Sequence, residues 1–118
     1  MACYVDGFVL PLQKKKLPAY QRMSKAAGKV FREYGALEFI ECVADDMTDM
    51  GVPFPKLAQV KAGETVVFSW IVYKSRSHRD QVNKKVMADP RIARSMTGPM
   101  PFDVKRMSMG GFRSIVDL

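Results

Sequence analysis

The ten residues ETVVFSWIVY, Glu64 to Tyr73, are almost all β-branched or aromatic, the side chains that fit a pleated, half-buried surface. Successive side chains of a strand point to opposite faces, and here both alternating sets are apolar: Val66, Phe68, Trp70 and Val72 on one, Val67, Ile71 and Tyr73 on the other. Such a strand needs cover on both sides and belongs in the centre of a sheet.

Upstream, Met47 to Gly63 holds Gly51, Pro53 and Pro55. At about 17 residues it is longer than most connections, so it either carries function or pairs in part as an edge strand. Before it, Ala36 to Ala44 alternates around Phe39, Ile40, Cys42 and Val43 and ends at Asp45 and Asp46, which predicts a second strand. From Leu17 to Tyr34 the apolar residues Leu17, Tyr20, Met23, Val30, Phe31 and Tyr34 keep a helical period, and Gly35 suits the C-cap. Cys3 to Leu10 reads as a first strand closed by Pro11. Downstream, Ser77 and Asp80 have the spacing of a capping box, and Val82, Val86 and Met87 stripe a second helix that ends near Asp89, before Pro90. Val104 to Val116, interrupted by Gly110 and Gly111, supplies a last strand with a bulge.

The order is β α β β α β. Right-handed crossovers fold it into an α+β, ferredoxin-like, four-stranded antiparallel sheet with two helices on one face, as one domain over residues 1–118. The other sheet face then lacks cover, and a second copy across a two-fold axis is the simplest way to supply it, giving a homodimer.

Four segments, YVDGFVLP (4–11), ALEFIECVADD (36–46), VVFSWIVYKSRSHRDQVNKKVMADPR (66–91) and MPFDVKRMSMGGFRSIVD (100–117), resemble the bacterial YbaA-like family, a domain of unknown function. The resemblance implies membership of the dimeric α+β barrel superfamily, where two ferredoxin-like sheets face each other around a shared cavity. Cofactor-free monooxygenases, haem-degrading enzymes and chlorite dismutase-like proteins share that fold, so it names no reaction. Val104 stands where the family often carries glycine.

Composition narrows the function classes. The formal charge of +7 divides as +5 over residues 1–35, −4 over 36–73 and +6 over 74–118, so no uniform basic coat exists. No apolar run approaches the about 20 residues a membrane-spanning helix needs, and the N-terminal residues lack a secretion-signal pattern, which points to the cytoplasm. Cys3 and Cys42 form neither a zinc set nor a CxxC motif, and His78 is the only histidine, so no metal site is expected. A Gly-rich phosphate loop, a nucleophile elbow and an HExxH motif are absent, and no cofactor is implied.

If the wholly apolar parity of each strand meets the helices, Cys3, Val5, Val9, Ile40, Cys42, Phe68 and Trp70 are core. Tyr4, Asp6, Phe8, Glu41, Ser69, Tyr73, Arg106 and Ser108 then share the open face. Of these, Tyr4, Asp6, Glu41, Ser69, Tyr73 and Arg106 are the candidate lining of a cavity for a small, partly apolar molecule. Asp6 is expected near Arg106, as a structural ion pair at the dimer interface or as part of a binding site, and Glu41 as a carboxylate without an obvious basic partner. Two alternatives stand beside this reading. One is nucleic-acid association through the basic helical faces (Lys14, Lys15, Lys16, Arg22, Lys25, Lys29, Arg76, Arg79, Lys84 and Lys85), although Val66 to Tyr73 lacks the basic residues of an RNA-reading strand. The other is a non-catalytic dimer acting through protein contacts.

Overall fold

The computed structural model describes residues 2–48 and 50–118. Four strands, β1 (Tyr4–Gln13), β2 (Glu38–Val43), β3 (Glu64–Tyr73) and β4 (Ser108–Arg113), form one antiparallel sheet in the order β2-β3-β1-β4. The helices are α1 (Leu17–Glu33), the single turn α2 (Phe54–Leu57), α3 (Arg76–Met87) and α4 (Pro90–Ser95). The ferredoxin-like α+β expectation holds, with β3 central and paired along all ten residues to β1, Tyr4 opposite Tyr73 and Gln13 opposite Glu64.

Several boundaries differ for local reasons. β1 runs through Pro11 to Gln13, because β4 pairs only as far as Val9 and a missing N–H on that free side breaks no ladder. The N-cap of α3 is Ser75, whose hydroxyl accepts the His78 N–H at 3.1 Å, and not Ser77. Asp89 caps α4 by accepting the Arg91 N–H at 2.8 Å. Val104–Arg106 is a 3-10 turn and not strand, and its φ values stay negative, so valine fits there without strain. Among its described residues, the long connection forms no edge strand. It carries α2, whose Phe54 ring meets Phe68 edge-on at 5.7 Å.

Two apolar clusters fill the space between sheet and helices. One joins Val30, Ile71, Tyr73, Val82, Val86 and Ile92; the other joins Leu10, Leu12, Tyr20 and Val67. The core parity is therefore Tyr4, Asp6, Phe8, Leu10 and Leu12 on β1 with Val67, Ser69, Ile71 and Tyr73 on β3. That inverts the sorting made from apolarity. Val5, Val9, Ile40, Cys42, Phe68, Trp70 and Val72 lie on the other face, where β4 adds Phe112, and Trp70 is no core residue.

Gly28 sets the distance between α1 and the sheet. A Cβ there would stand 2.6 Å from Cδ1 of Phe39 on β2, so the missing side chain is what lets the ring in. Gly28→Ala should lower the unfolding free energy by about 1–3 kcal/mol through overpacking, against the roughly 0.5–1 kcal/mol gain that alanine brings to an open helix site. Urea denaturation measures the sign, and a stabilised variant would mean that Phe39 moves aside freely.

Candidate functional site

Five of the six candidate residues, Tyr4, Asp6, Glu41, Ser69 and Tyr73, lie on the helix-covered side, not on the open face as their polarity suggested. Asp6, Glu41 and Tyr73 sit there with a partner from a helix, while Ser69 lines a cavity beneath α1. Arg106 is elsewhere, in the 3-10 turn before β4, where its guanidinium forks onto Glu64 at 2.7 and 2.9 Å and donates to the Gln59 carbonyl at 2.9 Å. The expected approach of Asp6 to Arg106 does not occur.

Asp6 instead pairs with Arg79 of α3, Nη1 to Oδ1 at 2.6 Å, with Asp6 only 4% exposed. Arg79 also donates from Nε to Asp80 at 2.8 Å and lies 5.0 Å above the Tyr4 ring. Tyr73 donates to Asn83 Oδ1 at 3.3 Å. Burial pushes the Asp6 carboxyl up against the opposing pull of Arg79. Burial, reinforced by the Asp6 charge, raises the Tyr73 hydroxyl. Every member of this cluster has a partner, so its geometry is that of a closed structural network.

Glu41 is different. It projects from β2 toward α1, where Tyr20 Oη donates to both its oxygens, at 2.9 and 3.0 Å, and Ser24 Oγ donates to Oε2. Tyr20 and Ser24 are four residues apart and so share one helix face, the buried one. That i, i+4 pair of hydroxyls on an apolar stripe was the available sequence signal, and it was missed because aromatic and small residues there read as core. Burial and the Glu41 charge raise the Tyr20 pKa well above its usual value, which keeps the phenol protonated and donating.

Two cavities share Tyr20, Ser24, Phe39 and Glu41 as walls. The outer one, about 330 Å³, adds Leu17, Lys25 and Val67. The inner one, about 160 Å³, runs beneath α1 and adds Phe8, Leu10, Ile71 and Ser69. Ser69 faces Glu41 directly across the β2–β3 ladder. Its side is buried, yet the Glu41 hydrogen bonds go to Tyr20 and Ser24 and not to it.

Other chemistry-bearing residues have structural placements. His78 Nδ1 accepts the Lys74 N–H at 3.0 Å, and its ring meets Tyr73 edge-on. Among the described residues, no three His, Cys, Asp or Glu side chains could hold a metal ion. Cys3 precedes β1 and Cys42 lies on β2, with β3 between them, roughly 10 Å across two strand spacings and beyond disulfide reach. No described helix is long and apolar enough to cross a membrane.

A family model described as "Protein of unknown function (DUF1428)" matches residues 3–104. The "Uncharacterized protein YbaA" of Escherichia coli (strain K12) is 46% identical over 115 residues, 97% of each chain. Among solved structures, an uncharacterized NIPSNAP domain protein from Burkholderia xenovorans is similar with a TM-score of 0.55 and 15% identity, covering 97% of this chain and 94% of its own. A putative antibiotic biosynthesis monooxygenase from Nitrosomonas europaea reaches a TM-score of 0.59 at 11% identity, covering 96% and 90%. Identities this low carry the fold alone.

The Glu64–Arg106 fork has a definite pH signature. Arg106 beside it, with the Lys61 N–H, holds the Glu64 carboxyl down at about 2 from an ordinary 4.5. A depressed carboxyl stabilises the fold above its unfolded pKa and loses that contribution as the folded pKa is approached from above. Thermal melts of the wild type should therefore decline between about pH 5 and pH 2 more steeply than those of Glu64→Gln. Parallel acid branches would show that the fork adds no pH-dependent stability.

Proposed function

The chain belongs to the DUF1428 family of proteins of unknown function, and from that premise we propose that it is a homodimeric small-molecule-binding protein whose ligand enters the cavities between α1 and the sheet. The observation that carries the reading is the Glu41 carboxylate, fixed by Tyr20 and Ser24 in the wall of two largely apolar cavities. Ligand sites have this composition: apolar walls that supply affinity and a few oriented polar groups that fix the ligand's pose. The sequence reading placed the cavity on the open sheet face. Five of the six residues it relied on, all but Arg106, are on the helix-covered side, and the proposed binding site moves with Glu41 and Ser69.

The open face supports the second half of the proposal. Val5, Val9, Phe68, Trp70 and Phe112 line a shallow hollow of about 590 Å³, in which the Phe112 ring lies over the paired Gly7 and Gly110. Phe68 is 41% and Phe112 64% exposed. An apolar sheet face of this extent calls for a partner, and a second copy brings the same surface to it. The strand residues on that face include no lysine or arginine, so phosphate groups find no counter-charge there, which weighs against an RNA-reading sheet.

Light scattering on the wild type should give twice the mass of one chain, and Trp70→Glu or Phe112→Glu should give one chain mass with the circular dichroism spectrum retained. A monomeric wild type would remove the dimer from the reading. For the cavity, a thermal-shift screen of small metabolites should yield a salt-insensitive, concentration-dependent rise in Tm that is lost in Glu41→Ala. A rise produced only by short RNA, and abolished by salt, would replace this reading with the nucleic-acid one.

A further inference from the structure

We infer that the inner cavity selects a neutral, one-ring molecule bearing a hydroxyl group, a simple phenol, whose O–H donates to Glu41 while its oxygen accepts from Ser69. The inference rests on the small-molecule reading above and names the class of ligand. Size comes first. At about 160 Å³ the inner cavity matches the roughly 150 Å³ apolar cavities that take up a single benzene ring. Its walls include Phe8, Leu10, Phe39 and Ile71, which suit a ring and nothing polar along its edge.

The polar groups then fix one substituent. The Tyr20 and Ser24 hydroxyl hydrogens are already committed to Glu41. Ser69, 6% exposed, is buried in the cavity wall opposite Glu41 without belonging to that hydrogen-bonded set. None of the described buried polar side-chain atoms is sealed off without a partner, so the Ser69 hydroxyl keeps contact with open space, and the space that Ser69 lines is this cavity. The cavity thus offers one spare donor, from Ser69, and one spare acceptor direction, on Glu41. A hydroxyl group has the matching inventory, one donor and an accepting oxygen.

Other substituents fit worse. A carboxylate would face Glu41, the charged side chain of the inner wall, across a low-dielectric space. An ammonium would be drawn to Glu41, but it brings three donors to a site with fewer acceptors and must shed its hydration to enter. An ether or bare ring leaves Glu41 or Ser69 unserved. A phenol also gives the carboxylate a stronger donor than an aliphatic alcohol does, as charge-assisted hydrogen bonds favour acidic donors.

The test is a titration of the full chain with phenol, anisole, benzene and benzoate, read by Tm and by amide chemical-shift changes, repeated with Ser69→Ala and Glu41→Gln. Phenol should bind at least tenfold more tightly than anisole and benzene, with shifts on α1, β2 and β3. Each substitution should bring phenol down to the level of benzene while benzene binding stays unchanged. Equal binding of phenol and benzene by the wild type, preference for benzoate, or shifts confined to the Phe112 side of the sheet would overturn the hydroxyl selection. Silence from all four compounds, with the screened metabolites still raising Tm, would likewise overturn it while leaving the cavity reading intact. Silence from every small molecule would overturn both.

Discussion

The ten-residue antiparallel ladder between β1 and β3 is the constraint on which the rest of the molecule depends. Both of its faces are dominated by apolar side chains, and a helix layer can cover only one. On the helix side the ladder brings Leu10, Leu12, Val67, Ile71 and Tyr73 into two buried clusters. Its polar interruptions, Asp6 and Ser69, must find partners or open space within that layer. Asp6 finds Arg79, and Ser69 finds the cavity. On the other side, Val5, Val9, Phe68 and Trp70 line a shallow apolar hollow that no long helix covers, with only Phe54 of α2 packed against Phe68.

The element order, the central place of Glu64 to Tyr73 and the apolar stripe of α1 were legible because each depends on residues close in sequence. The sheet parity was not. Apolarity assigned Phe68 and Trp70 to the core and Asp6, Glu41 and Ser69 to the open face, yet the structure reverses both sets. The information that settles parity is long-range. Arg79 is 73 residues from Asp6, and Tyr20 and Ser24 are 21 and 17 residues from Glu41. Nothing in a strand's own sequence announces that a helix will bring a guanidinium or a pair of hydroxyls to its polar members.

For the same reason Glu41 was legible as a residue and illegible as a site. Its carboxylate could be singled out in the sequence, but its partners, the hydroxyls of Tyr20 and Ser24, could not. Arg106 shows the opposite error. Placed on a strand by the run from Val104 to Val116, it belongs to a 3-10 turn, and its charge is taken by Glu64 at the far end of β3. The Gly28–Phe39 contact completes the arrangement, because it fixes how near α1 can lie to β2 and hence how far Tyr20 and Ser24 reach toward Glu41.

The pleat of β2 and β3 carries one more consequence. Glu41 points to the cavity between Ile40 and Cys42, which point the other way, and Ser69 does the same between Phe68 and Trp70. A strand is too stiff to turn one residue without its neighbours. Glu41 and its two strand neighbours therefore line opposite surfaces, and the sheet between those surfaces is a single backbone layer thick.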